Sequence, residues 1–82
     1  MPRFIDVHND MRGITADALR TEHEKDVKQQ KSEGVSFLKA WADPKAGKIF
    51  CLSEGPSKEA VQRVHERAGH PAHEIYEVSI EQ

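Results

Sequence analysis

The sequence predicts a ferredoxin-like α+β fold, βαββαβ, in which a four-stranded antiparallel sheet carries two helices on one face. Three observations predict it: four short segments that alternate as strands do, two longer stretches with helical spacing and sound caps, and their order along the chain. Residues 1–82 are expected to form a single domain. A chain of this length buries only about 60 to 65 per cent of its unfolded surface, so a partner subunit would add stability that one core supplies thinly.

The first strand is Arg3 to His8, RFIDVH, with Ile5 and Val7 on one side and Phe4, Asp6 and His8 on the other. Asn9, Asp10 and Gly13 make a loop. Thr15 is an N-cap, and Asp17 falls in the first turn, where the helix dipole favours a carboxylate. The helix runs from Ala16 to Glu33 and stops at Gly34. Its inner stripe, Ala16, Leu19, His23, Val27 and Gln30, is weakly apolar and has a histidine at its centre. Residues 35–42, VSFLKAWA, and 48–54, KIFCLSE, form a hairpin around DPKAGK. Ser57 caps a second helix that turns Ala60, Val61, Val64 and Ala68 inward; Gly69 ends it and Pro71 prevents its continuation. The last strand is 74–80, EIYEVSI.

Alternation places Ile5, Val7, Leu38, Ala40, Phe50, Leu52, Tyr76, Val78 and Ile80 beneath the helices. The opposite face then mixes Phe4, Asp6, His8, Phe37, Lys39, Trp41, Ile49, Cys51, Ser53, Ile75, Glu77 and Ser79. That face is too apolar to be left wet, which predicts a homodimer through it.

Composition removes several classes of function. No apolar run approaches the roughly 18 residues of a membrane span, and MPRFIDVHND lacks the basic and apolar stretches of a signal peptide, so no membrane partner and a cytoplasmic location are expected. The single Cys51 rules out an internal disulfide and any C-x-x-C motif. Basic residues are scattered among acidic ones, which gives no footprint for nucleic acid. There is no glycine-rich phosphate loop, no G-x-S-x-G and no H-E-x-x-H. Five histidines could move the formal charge from -2 to +3 if all took protons.

Those histidines concentrate the chemistry. His65 and Glu66 lie on the second helix and His70 and His73 in the turn after it, so the four can converge near that helix's C-terminus. Helix neighbours point about 100° apart, however, so His65 and Glu66 are not expected on one ion, and two partial sites are predicted instead. His23, between Leu19 and Val27, points at the sheet or the second helix, where it can pair with His65 beside Asp26 or Glu22. Asp6 and His8 share a strand face at i,i+2, with Cys51 and Glu77 as further neighbours. The competing reading makes His70 and His73 solvated turn residues, His65 a cover for the core edge near Val61, and His23 a core-edge ring bonded to a backbone carbonyl.

The segments DVH at 6–8, WADPKAGKIFCLSEGPSKEAVQRVH at 41–65 and EIYEV at 74–78 add a resemblance. Over nearly its whole length the chain resembles a family of small bacterial nickel-binding proteins with a ferredoxin-like fold. The Trp-x-Asp-Pro-x-x-Gly-Lys turn followed by Phe-Cys-Leu is its most specific part. The resemblance implies a dimeric, non-enzymatic protein that binds a nickel ion for sequestration, handling or detoxification. Nickel(II) is well served by imidazole with carboxylate or water, so the candidate ligands are Asp6, His8, His23, Asp26, His65, Glu66, His70 and His73. The alternative is a small-molecule enzyme or binding module whose pocket lies at the dimer interface around His8, Trp41 and Cys51, with thiol and imidazole as nucleophile and base.

Overall fold

A computed structural model describes residues 1–82. Along the chain come β1 (Arg3–His8), α1 (Ala16–Gln29), a 3₁₀ turn (Gln30–Glu33), β2 (Ser36–Asp43), β3 (Lys48–Glu54), α2 (Lys58–Arg67) and β4 (Glu74–Glu77). The strands stand in the order β2-β3-β1-β4, every pair antiparallel. This is the predicted ferredoxin-like α+β fold. The molecule measures 33 × 30 × 18 Å, and the short dimension is the depth of one helix layer on one sheet, so the other sheet face is bare.

Local chemistry sets the boundaries. The Thr15 hydroxyl accepts a hydrogen bond from Ala18 N–H, and Ser57 accepts from Ala60 N–H, each satisfying an N–H that the helix leaves free. The first helix is shorter as an α-helix than its spacing predicts. Its last four residues tighten into the 3₁₀ turn, and Gly34, at φ 68°, lets Val35 N–H reach back to Gln30 C=O. The last strand also ends early, at Glu77 instead of Ile80. Beyond Val78, whose N–H still bonds Arg3 C=O, β1 offers no more backbone to pair with.

The sheet faces are the reverse of those expected from alternation in β1, β3 and β4. Phe4, Asp6, His8, Ile49, Cys51, Ser53 and Ile75 are buried beneath the helices together with Phe37. Phe4, Phe37 and Ile75 form one apolar core with Val35, Ala60, Val61 and Val64. By the strand register Ile5, Val7, Phe50, Leu52 and Tyr76 face the other way, and Tyr76 is exposed. In β2 an irregularity between Phe37 and Lys39 interrupts the alternation, leaving Leu38 and Trp41 exposed. The physical reason for the reversal lies in α1. Its inward stripe is polar: Asp26 is buried, Glu22 and His23 are half-buried, and Val27, expected inside, is 39% exposed. Asp26 of this stripe bonds His65 and His70, and His65 in turn bonds Asp6 of β1, a chain that Ile5 or Leu52 in place of Asp6 could not complete.

The inverted faces separate two substitutions. Phe4→Ala should cost about 3–5 kcal/mol in urea unfolding. Val27→Ala should stay within about 0.5 kcal/mol of the parent, because the site is exposed.

Candidate metal centre

Four elements aim polar side chains at one end of the covered layer. In β1, the period of two puts Asp6 and His8 on the same side, and the β1/β3 register sets Cys51 directly opposite Asp6. In α2, His65 follows Val61 by one turn and Val64 by one residue, and it is fully buried. In α1, Glu22 and Asp26 are one turn apart and share a face. His70 arrives through the end of α2. Gly69 takes a left-handed φ of 88°, which lets Gly69 N–H bond Glu66 C=O and His70 N–H bond His65 C=O. This is the Schellman pattern, and it sets His70 against the helix residue His65 where an apolar pair often sits.

At the centre, His65 Nδ1 lies 2.9 Å from Asp26 Oδ1 and His65 Nε2 lies 2.8 Å from Asp6 Oδ2. Asp26 Oδ1 also takes His70 Nε2 at 2.7 Å. The rings of His8, His65 and His70 stand 4.7 to 5.4 Å apart between centroids. Two further contacts are close without hydrogen-bonding geometry. His8 Nε2 is 2.9 Å from Asp6 Oδ1, and His70 Nδ1 is 2.7 Å from Glu22 Oε2. His8 Nε2, Asp6 Oδ1 and His70 Nδ1 are thus buried without a hydrogen-bond partner, as is His23 Nδ1. Unpaired buried donor and acceptor atoms are costly, and here His8 Nε2 and Asp6 Oδ1 stand against each other while His70 Nδ1 stands against Glu22.

Burial alone would push the His65 imidazole toward neutrality, but hydrogen bonds to Asp26 and Asp6 and the charges of both carboxylates push its pKa up to about 9. Burial works against Asp6 and Asp26 as well, yet hydrogen bonding to His65, with the nearby His8 ring at Asp6 and the His70 bond at Asp26, holds both carboxyls below their ordinary value. The Cys51 thiol is driven far up, by burial first and then by the Asp6 and Asp26 charges. Before any charge on His8 or His70 is counted, Asp6, Asp26 and Glu22 face the His65 imidazolium and the Lys25 ammonium that pairs with Glu22, which leaves one negative charge in excess.

Two sets of donor atoms are close enough to serve one ion each: Asp6, His8, Cys51 and His65, and Asp26, His65 and His70. They share His65. A cavity of ≈ 280 Å³ opens beside them, and its lining includes His8, Cys51, Asp26 and His70 from those sets, with Glu22 and His23 alongside.

Of the predicted ligands, Asp6, His8, Asp26, His65 and His70 are brought together. His23 lines the cavity next to them. Glu66 is not at the cluster: it lies exposed on α2 and accepts from Gln62, because it points away from its neighbour His65. His73 also lines the cavity but is outside both donor sets, its Nδ1 accepting from Asn9 N–H in the loop after β1. Cys51, expected only as an interface thiol, and Glu22, expected only as a neighbour of His23, stand at the cluster instead. The antiparallel register was the available signal for Cys51, and the i,i+4 spacing with Asp26 for Glu22. Glu77 is exposed and takes no part. The interface pocket around His8, Trp41 and Cys51 does not form, since Trp41 lies on the opposite face of the sheet, 45% exposed.

Fold and site together define a small ferredoxin-like protein with imidazole, carboxylate and thiol donors gathered between helices and sheet. The chain belongs to the family described as nickel responsive proteins of the SCO4226-like type, whose model matches residues 4–78. It is 59% identical to SCO4226 of Streptomyces coelicolor A3(2), and the crystal structure of that protein superposes with a TM-score of 0.96 over 98% of this chain and 99% of that one. No curated protein matches the sequence.

A raised His65 pKa makes the protein sensitive to alkali. The stabilisation from the imidazolium is complete below its ordinary value of 6.5 and is lost as pH climbs through about 9. Thermal unfolding should therefore show stability falling between those limits, by on the order of 3 kcal/mol.

Proposed function

We propose that the protein is a nickel-binding protein that sequesters or hands on the ion and performs no reaction of its own. One observation carries this reading: three imidazoles from β1, α2 and the turn after α2 stand within 5.4 Å of one another among three carboxylates. Their chemistry suits the ion. Nickel(II) takes imidazole readily, with carboxylate as a hard partner and thiolate as a soft one. The buried atoms without partners and the excess negative charge are what a divalent cation would satisfy. His8, His65 and His70 are the proposed imidazole ligands, with Asp6, Asp26, Cys51 and Glu22 in reach. The nickel responsive family supports the choice of metal. Copper binds such a set at least as tightly, so selectivity would rest on supply in the cell. A cytoplasmic setting, where Cys51 stays reduced, suits this role.

An enzymatic reading has less support. A thiol held protonated far above neutrality, beside carboxylates that oppose its ionisation, is a poor nucleophile.

We infer also that two copies pair through the bare sheet face. Its supporting residues differ from those expected from alternation: of Phe4, Phe37, Trp41, Ile49 and Ile75, only Trp41 is there. Leu38, Trp41 and Tyr76 are exposed on this face, and Ile5, Phe50 and Leu52 are half-buried beside them, an apolar patch of the kind that subunits cover.

Titration calorimetry with nickel tests the site. His8→Ala and His70→Ala should each weaken binding at least about tenfold, as loss of a metal-site group does. Glu66→Gln should leave binding unchanged; equal curves for all three variants would discard the ligand assignment. Because the metal must displace the His65 proton, affinity should rise with pH from 6.5 to about 9, with proton release visible as a dependence of the heat on the buffer. In sedimentation, Trp41→Glu should convert a dimer to monomers, and a parent protein that is already monomeric would end the pairing proposal.

A further inference from the structure

The cavity beside the donor cluster is larger than an ion requires. At about 30 Å³ per water, its ≈ 280 Å³ holds roughly nine waters, whereas a four- to six-coordinate ion with several protein ligands leaves only a few positions open. Its size lies near the lower end of small-molecule pockets, which run from about 300 Å³ upward. The walls are also of two kinds. At one end are His8, Cys51, Asp26 and His70 of the donor sets; elsewhere Met11, Leu19, Ala40, Ile49, Pro71 and Ala72 supply apolar surface. Water against such surface is readily displaced by an apolar group, and a preformed site gives up little entropy in doing so. One wall atom is polar and unused: His23 Nδ1 is buried with no partner in the protein.

We propose that the cavity binds a small α-amino carboxylate with an apolar side chain, which chelates the nickel ion and completes its shell. This rests on the nickel reading above and specifies what accompanies the ion. The amine nitrogen and one carboxylate oxygen occupy two coordination positions facing the cavity. The side chain lies against Leu19, Ala40 and Ile49. A turn of the His23 ring, whose Nδ1 is closed off from the cavity, would let an N–H of the coordinated amine donate to it and give that buried atom the partner it lacks. The protein would then take the ion as a complex with a small chelator, and the apolar wall would select among chelators that share the same head group.

Nickel-loaded protein, freed of excess metal by gel filtration, is titrated calorimetrically with glycine and with L-leucine, two amino acids with the same donors and different bodies. Leucine is expected to bind at least about tenfold more tightly than glycine, because burying a side chain of its size is worth that or more. The d–d absorption of the bound nickel should shift as leucine is added, and nickel should still elute with the protein. Ala40→Phe, which fills the cavity, should abolish the preference while nickel still binds, and His23→Ala should weaken leucine more than nickel. Equal affinities for the two amino acids, no binding of leucine, or removal of nickel into solution by leucine would each overturn the chelator proposal while leaving nickel binding intact. Absence of any heat with nickel alone would overturn the metal reading beneath it.

Discussion

The bridge Asp6–His65–Asp26 governs the interior. Two carboxylates have been taken out of water, and the desolvation of each would cost several kcal/mol if it stood alone. One imidazolium, bonded through both ring nitrogens, offsets both costs and in doing so ties β1, α1 and α2 together. The first helix depends on it most. Asp26 is its only fully buried residue, and its apolar content is too small to dock it by hydrophobic burial alone. The interior is therefore divided. Phe4, Val35, Phe37, Val61, Val64 and Ile75 hold one part by packing, and the charged network holds the other by complementarity.

That division explains how a core can double as a site. Hydrogen bonds satisfy His65 completely, but they leave His8 Nε2, Asp6 Oδ1 and His70 Nδ1 buried and unmatched around it. A proton on His65 holds the arrangement together, and a cation competing for the same lone pairs must replace it. Under the proposed nickel reading, stability without the ion and affinity for the ion would pull on one group in opposite directions. An all-apolar interior would be more stable and would have nothing to offer a metal.

How much of this was legible in the sequence follows from the range of the interactions concerned. Thr15, Ser57, Gly34 and Gly69 act within a turn of chain, so both helices and their order with the strands could be placed from the sequence. The covered face could not. Alternation divides a strand into two sets but does not say which set the helices choose, and Asp6 and His8 looked like residues that belong outside. Only the polar stripe of α1 reverses that choice, and it is hidden in the sequence because His23 stands between apolar Leu19 and Val27 and Asp26 flanks it. The site was partly legible for the same reason. His65 and His70 are joined by a local capping motif, whereas the approach of Cys51 and Glu22 depends on register and helix docking. His73 and Glu66 show the limit of proximity in sequence, since both adjoin true members of the cluster and neither reaches it.

The irregularity in β2 reaches further than its single residue. Strict alternation from Phe37 would turn Lys39 and Trp41 toward the helices and Ala40 toward the bare face. An indole would then occupy the hollow now bounded by Ala40, and the bare face would lose its largest aromatic ring. One inserted backbone position thus sets internal room and external adhesiveness at once. A shift in strand phase during evolution would change the volume of the hollow and the apolar character of the outer face together, and neither could drift without the other.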